Sequence, residues 1–220
     1  MSIKENLLEI KLKLPVNVTL IAVSKTKPIE LIKEAYNAGQ RDFGENYIQE
    51  LEDKHKLLPS DINWHAIGHL QSNKVKYIAP FVHLIHAVDS LSLLQEINKQ
   101  ALKNNRVIAC LLQIHIAKEE TKFGFSFEEC ESLFQLEEFK KLKNIRITGF
   151  MGMATNTDNE TQIRNEFSSL KMFFDKIQLT TYSIQHLSMG MSSDYKIAIE
   201  EGSTMIRIGS SIFGERIKGF

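Results

Sequence analysis

The distribution of apolar and polar residues along the chain predicts eight short strands. Several of the predicted strands are short continuous runs of apolar or β-branched residues. Uninterrupted apolar runs are typical of parallel strands, because helices cover both faces of a parallel sheet. The predicted strands span residues 18–23, 41–43, 64–67, 84–88, 107–116, 145–149, 183–187 and 205–208.

Helical patterns fill the segments between the predicted strands. Pro28 fits the first turn of a helix whose apolar stripe ends at Gly39. Ser126 and Glu129 have the spacing of a capping box, and residues 159–178 repeat apolar positions at helical spacing. The helix that begins at Ser126 is predicted to continue its apolar face through Leu133, Leu136 and Phe139.

The regular alternation of strand and helix predicts a single α/β domain over residues 1–220. With eight repeats and an amphipathic segment before the first strand, we expect a (β/α)8 TIM-type barrel with an extra N-terminal helix. The alternative is an open doubly wound sheet. No GxGxxG follows the first strand and no GxxxxGK[ST] occurs, so the usual nucleotide signatures of open sheets are missing. We also expect no second domain after the eighth unit.

The charge balance and the apolar stretches exclude several classes of partner. Lys plus Arg equals Asp plus Glu at 27 each, which leaves no basic excess for nucleic-acid binding. The longest apolar stretch, residues 107–112, is too short to span a bilayer, and the first residues mix charges with apolar positions, unlike a secretory signal. We therefore expect a cytoplasmic protein without nucleic-acid or membrane partners.

Cysteine and histidine spacing gives no firm metal site. Cys110 and Cys130 are far apart in sequence and are predicted to be core residues. His65 and His69 form an HxxxH pair, which allows a metal site as one alternative. Because Gly68 intervenes, we favour histidines whose ring nitrogens are hydrogen-bonded within the protein or exposed to solvent, and we expect no metal.

Lys25 is the first candidate for chemistry. In a barrel the functional residues follow the C-terminal ends of the strands, and Lys25 lies just after the first apolar strand. Partial desolvation there would lower the pKa of its amine and make it a nucleophile toward an aldehyde. The alternative is a solvated loop lysine; Lys27 lies two residues further on.

The loops after the seventh and eighth predicted strands are rich in small hydrogen-bond donors. Gly209 permits close approach of a ligand to the backbone, and Ser210 adds a hydroxyl. Barrels commonly bind phosphate with these two loops, although serines at helix starts can also be simple caps. The seventh loop contributes Ser188, Gly190, Ser192 and Ser193.

Arg207 alternates with Ile206 and Ile208 on the last predicted strand, so its side chain is predicted to face away from theirs. Inside a barrel such a cation needs a partner. It could donate to the ring nitrogen of a heteroaromatic ligand, or it could pair with a structural carboxylate.

Six segments together resemble one known family. They are AVSKTKP, FGENYIQE, WHAIGHLQSNK, TKFGFS, GFMGMAT and LSMGMSSDYKIAIEEGSTMIRIGSSIFGER. They occur in order over nearly the whole chain and are similar to the pyridoxal phosphate homeostasis proteins, whose fold resembles the N-terminal barrel of bacterial alanine racemases.

The resemblance implies a binding site for pyridoxal 5′-phosphate (PLP). It implies that Lys25 forms a Schiff base with the cofactor aldehyde and that Arg207 faces the pyridine nitrogen. The other cofactor-binding residues it implies are Gly209, Ser210 and Ser192 for the phosphate, and Asn46 near the pocket.

The resemblance further implies a role in intracellular vitamin B6 homeostasis without a committed reaction, so no catalytic residue is expected. The alternatives are a PLP-dependent enzyme, such as a weak amino-acid racemase or a Schiff-base lyase, and a scaffold that binds only a protein partner. We expect apo forms of PLP-dependent enzymes as partners, and a monomer or weak dimer.

Two positions depart from the family pattern. Where relatives usually have asparagine and serine, this chain has His115 and Phe123. We expect cofactor attachment to tolerate both changes, whereas a role of this loop in cofactor release or partner contact is less transferable.

Overall fold

The computed structural model describes residues 2–119, 121–180 and 183–214. Eight parallel strands pair in sequence order and close into a barrel, with β8 hydrogen-bonded to β1. This confirms the predicted TIM-type barrel and excludes the open sheet. The strands are β1 (Thr19–Val23), β2 (Asp42–Glu45), β3 (Asn63–Ala66), β4 (Leu84–Val88), β5 (Ile108–Gln113), β6 (Ile145–Met151), β7 (His186–Ser188) and β8 (Met205–Ile208).

Helices surround the barrel and connect consecutive strands. The helix that precedes β1, α1 (Ile3–Lys13), begins with a capping box at Ser2 and confirms the expected N-terminal helix. The others are α2 (Ile29–Asn37), α3 (Ile48–Leu57), α4 (Val75–Ile78), α5 (Leu91–Lys103), α6 (Phe127–Gln135), α7 (Glu137–Lys140), α8 (Glu160–Gln178), α9 (Tyr195–Glu200) and α10 (Ser210–Phe213), with a 3₁₀ turn at Ser72–Lys74.

Apolar residues separate into two clusters because strand side chains alternate between the two faces. The larger cluster lies between the strands and the helices and includes Leu20, Ala22, Ile206 and Ile208. The smaller one lies inside the barrel and contains Ile21, Leu84, Ala87, Leu111, Met151 and Met205. None of the described helices combines the length and the apolar character needed to cross a membrane.

Three predicted elements differ from the observed ones by more than two residues. β5 ends at Gln113 rather than at residue 116, and beyond it Ile114 forms only an isolated bridge with Phe125. Leu136 does not continue the face of the helix that begins at Ser126, because its backbone is extended (φ −68°, ψ 131°) and separates α6 from α7. β7 begins at His186 rather than at residue 183, because the Ile184 carbonyl accepts a hydrogen bond from the Gln178 side chain of α8. The predicted domain also includes Met1, Glu120, 181–182 and 215–220, which lie outside the described residues.

Candidate functional site

A pocket of about 420 Å³ lies at the C-terminal end of the barrel. The loops that follow β1, β2, β7 and β8 contribute to it, as expected for the functional end of a barrel. All six residues that were predicted to bind the cofactor line this pocket: Lys25, Asn46, Ser192, Arg207, Gly209 and Ser210. Lys27, Ser193 and Met153 also line it. Residues far apart in the sequence are therefore brought together around one cavity.

A tight turn presents Lys25 to the pocket. The Lys27 N–H donates to the Ser24 carbonyl at 3.0 Å, and Thr26 between the two lysines has φ 62°, which is unusual for a β-branched residue. The Thr26 N–H donates to Glu50 Oε1 at 2.6 Å and holds this conformation. The Lys27 ammonium donates to the carbonyls of Phe213 and Gly214, so the two lysines have different surroundings.

A buried charged cluster supports this turn from the layer between the barrel and α3. Lys54 Nζ donates to the Ser24 carbonyl at 2.7 Å, to Glu45 Oε1 at 2.8 Å and to Glu50 Oε1 at 2.6 Å. The Ser24 hydroxyl donates to Glu45 Oε1 at 2.6 Å. The residue before Lys25 is thus held through both its carbonyl and its hydroxyl.

Glu45 in this cluster is fully buried, and burial raises its pKa to about 7 despite the hydrogen bonds from Lys54 and Ser24. Its second oxygen, Oε2, has no hydrogen-bond partner among the described residues. This cluster is not apparent from the sequence, because Glu45 lies beyond the predicted strand 41–43 and Lys54 lies in a segment rich in charged residues.

Arg207 points into the barrel, as its alternation with Ile206 and Ile208 predicts. It is buried, and Nη1 donates to Ser188 Oγ at 2.6 Å while Nη2 donates to the Gly152 carbonyl at 3.1 Å. Burial lowers the pKa of Arg207 to about 10. Within the described chain no carboxylate lies within 4.0 Å of the guanidinium, so the structural ion pair considered as an alternative is not observed there.

The serines of the two small loops do not act as helix caps. The N-cap of α9 is Asp194 and that of α10 is Gly209, and neither helix has a side-chain cap. The Gly209 N–H instead donates to Ser192 Oγ at 3.4 Å, which joins the two loops. Ser188, which the sequence placed with these donors, belongs to β7 and turns into the barrel toward Arg207, away from the pocket lining.

Asn46 is positioned by a close backbone approach. A Cβ atom at Gly68 would lie 2.6 Å from the Asn46 carbonyl oxygen, so only glycine permits this packing of the loop after β3 against the loop after β2. The role of Gly68 between the two histidines is therefore steric.

The HxxxH histidines diverge. His65 points into the barrel, whereas His69 pairs with Asp89 at 3.2 Å and stacks on Phe123 with ring centroids 4.1 Å apart. Among the described residues no group of three or more His, Cys, Asp or Glu side chains is arranged to hold a metal. Both cysteines are buried and unpaired, as predicted. His115, the other departure from the family pattern, contacts the Glu119 carbonyl at 3.0 Å.

Comparisons with known proteins show which family this chain resembles in sequence. The family described as alanine racemase, N-terminal domain, matches residues 1–217. The pyridoxal phosphate homeostasis protein of Aquifex aeolicus (strain VF5) is 43% identical over 199 residues, which cover 90% of this chain and 86% of that protein. The homologue of the same name from Synechocystis sp. is 41% identical and covers 95% of this chain and 96% of its own.

Solved structures show the same relation. PipY of Synechococcus elongatus PCC7942, solved with PLP bound, is 34% identical with a TM-score of 0.88, covering 97% of this chain and 100% of its own. Alanine racemase of Clostridium difficile 630 is 17% identical with a TM-score of 0.77 over 99% of this chain and 57% of that enzyme, and this likeness concerns the fold alone. The chain belongs to the family of pyridoxal phosphate homeostasis proteins, which is built on the alanine racemase N-terminal domain.

Proposed function

We propose that this protein binds pyridoxal 5′-phosphate in the pocket at the C-terminal end of the barrel and serves intracellular vitamin B6 homeostasis. The observation that carries this proposal is the convergence of an amine, a guanidinium and a set of serine hydroxyls on one pocket of about 420 Å³. An aldehyde, a pyridine nitrogen and a phosphate are the three groups that such a donor set fits. The PLP-bound PipY relative supports the same ligand.

Each group of the pocket has a separate task in this proposal. Lys25 Nζ is the amine that would hold the cofactor covalently through its aldehyde. Arg207 would donate to the pyridine nitrogen, and Ser192, Ser210 and the Gly209 backbone would hold the phosphate. Asn46 closes the pocket wall on the side of β2.

In this proposal the protein carries PLP rather than catalysing a reaction with it. When bound, PLP supplies an electron-withdrawing ring that serves best as an electron sink when its nitrogen is protonated. A guanidinium at that nitrogen disfavours the proton, because two positive charges would then face each other. The similar proteins are named pyridoxal phosphate homeostasis proteins, which supports the carrier proposal. A weak amino-acid racemase is the alternative.

Borohydride trapping tests the covalent attachment. Reduction of the PLP-loaded protein fixes the cofactor on one lysine, and peptide mass spectrometry should locate it on Lys25. Lys25→Ala should lose the reducible adduct while its circular dichroism stays unchanged. An adduct that persists on Lys27 in this variant would refute the assignment.

A transfer assay tests the function itself. The loaded protein should activate an apo PLP-dependent enzyme, and chiral chromatography should detect no racemisation of alanine or serine above free PLP. Saturable racemisation that disappears in Lys25→Ala would overturn the carrier proposal and support the racemase alternative. The cytoplasmic location and the monomer or weak dimer stay predictions, the latter to be checked by light scattering of the purified protein.

A further inference from the structure

A continuous string of polar side chains runs through the barrel interior from Arg207. Arg207 Nη1 donates to Ser188 Oγ at 2.6 Å, and Ser188 Oγ lies 3.0 Å from His86 Nδ1. His86 Nε2 lies 2.9 Å from His65 Nδ1, and His65 Nε2 lies 3.1 Å from Asp42 Oδ1. The members between the ends are buried. Four consecutive contacts thus connect a cation to a carboxylate through one hydroxyl and two imidazoles.

The string spans the barrel from one end to the other. Asp42 is the first residue of β2, and the first residue of β3, Asn63, donates to it at 3.1 Å. Asn46 in the pocket lies four residues further along the same chain direction, which corresponds to roughly 13 Å of extended backbone. The carboxylate therefore lies near the N-terminal end of the barrel, while the guanidinium lies in the pocket wall.

When each imidazole carries one proton, the two ends fix the direction of every hydrogen bond. A guanidinium can only donate and a carboxylate can only accept, whereas a hydroxyl and a neutral imidazole each do both. All four contacts are satisfied together when Ser188 donates to His86, His86 donates from Nε2 to His65, and His65 donates from Nε2 to Asp42. Each imidazole then carries its single proton on Nε2.

The surroundings of His86 agree with a neutral ring. Burial holds its pKa well below the usual range, and the charge of Arg207 acts in the same direction, as does that of His65, His186 or His83 whenever one of these rings is protonated. At the other end, burial raises the pKa of Asp42, but the hydrogen bonds from His65 and Asn63 and the nearby imidazoles act against it, so that the pKa is lowered overall. The end groups keep opposite charges.

We propose that Ser188, His86, His65 and Asp42 are positioning residues that orient Arg207 toward the pocket through its contact with Ser188. The charge of Asp194 also acts on Arg207, but the Asp194 carboxylate accepts a hydrogen bond from the Met191 N–H, and among the described residues it forms no direct ion pair with the guanidinium. A carboxylate in direct contact would draw the guanidinium N–H groups away from the pocket. The relay instead uses one N–H for Ser188, and Gly152 takes another, out of the five that an arginine carries. The inference rests on the proposed function only for the identity of the ligand that Arg207 faces.

Nitrogen NMR of the cofactor-free protein tests the relay without the cofactor. In protein labelled with ¹⁵N-histidine, His86 and His65 should appear as neutral rings protonated on Nε2. Asp42→Ala removes the final acceptor and should introduce the Nδ1-protonated form at His65. Asp42→Asn keeps an acceptor oxygen and should preserve the wild-type pattern. An Nδ1-protonated or charged His86 in the wild-type protein would overturn the relay.

PLP titration then tests the effect on Arg207. Ser188→Ala removes the acceptor of the guanidinium and should raise the PLP dissociation constant roughly tenfold, the loss of one charged hydrogen bond. It should also shift the pH at which the absorbance of bound PLP changes. Ser203→Ala is the matched control, because the Ser203 hydroxyl is equally buried but contacts only the carbonyls of Leu187, Met189 and Met205.

The outcomes separate the two proposals. If Ser188→Ala and Ser203→Ala bind PLP with the same affinity and the same pH profile, the positioning role is refuted while the proposed function stands. If the wild-type protein fails to bind PLP but shows both Nε2-protonated rings, the proposed function fails and the relay stands.

Discussion

Replacing Glu45 by glutamine should remove a pH dependence from the stability of this protein. Glu45 lies under the turn that carries Lys25 and shares one ammonium, that of Lys54, with a second carboxylate, Glu50. One positive charge cannot compensate two carboxylates in a buried site, and Glu45 is the more deeply buried of the two. Glutamine has the same shape as protonated Glu45 and cannot ionise.

The magnitude follows from the pKa of Glu45, which burial raises from the ordinary value of 4.5 to about 7. The folded state therefore binds one more proton than the unfolded state between these two pH values, and the free energy of unfolding falls as the pH rises through this window. Each pKa unit corresponds to about 1.4 kcal/mol, so the full effect is about 3 kcal/mol. The contribution is complete below pH 4.5 and is lost above pH 7.

Urea denaturation of the wild-type protein and of Glu45→Gln at a series of pH values measures this effect. All other titratable groups are common to both proteins, so their contributions cancel in the difference. The stability of the wild type relative to the variant should fall by about 3 kcal/mol between about pH 4.5 and about pH 7.5. A difference that stays constant would mean that Glu45 is ionised throughout, and would refute the reasoning.

Two further predictions concern the pocket loops. The double variant Ser192→Ala, Ser210→Ala should release PLP at least tenfold faster, because each donor lost to a charged phosphate costs roughly 1.5 to 3 kcal/mol. Stopped-flow absorbance measures this rate with Ser211→Ala as the control, and a release rate equal to that of the wild type would contradict the prediction. Thr26→Asn should raise the free energy of unfolding by about 0.5 to 1 kcal/mol, because asparagine tolerates positive φ better than a β-branched residue. Lower stability of this variant in urea would show that the turn is not strained.

The fold was predictable because the strands are largely buried on both faces and several of them leave a short apolar run in the sequence. The predicted boundaries of helices and strands are wrong where side-chain contacts determine the path of the backbone. Leu136 fits the apolar stripe by its spacing, yet it is 41% exposed and its extended backbone separates two helices. The start of β7 depends on a hydrogen bond from Gln178, a residue of another element. Local periodicity carries no information about such contacts.

The pocket residues were predictable because they follow strands directly and match family motifs. The groups that support them were not, since their partners come from other strands. His65 was noted only for its HxxxH spacing, whereas its contacts are Asp42 on β2 and His86 on β4. A signal was present in the sequence: several strands carry a polar residue at an inward position, where aliphatic residues are the rule in such barrels.

The pairing of β1 with β8 has a consequence for biosynthesis. Thr19 is in register with Met205, so the barrel closes only when the two ends of the eight-strand series meet. Lys25 follows the first strand, whereas Arg207, Gly209 and Ser210 lie on or after the last. A ribosome-bound chain that has not yet released β8 therefore lacks these residues of the pocket lining. Binding of PLP would then follow the synthesis of nearly the whole chain. A ligand present at a hundred times its dissociation constant would stabilise the closed barrel by about 2.7 kcal/mol relative to forms of the chain in which the pocket is incomplete.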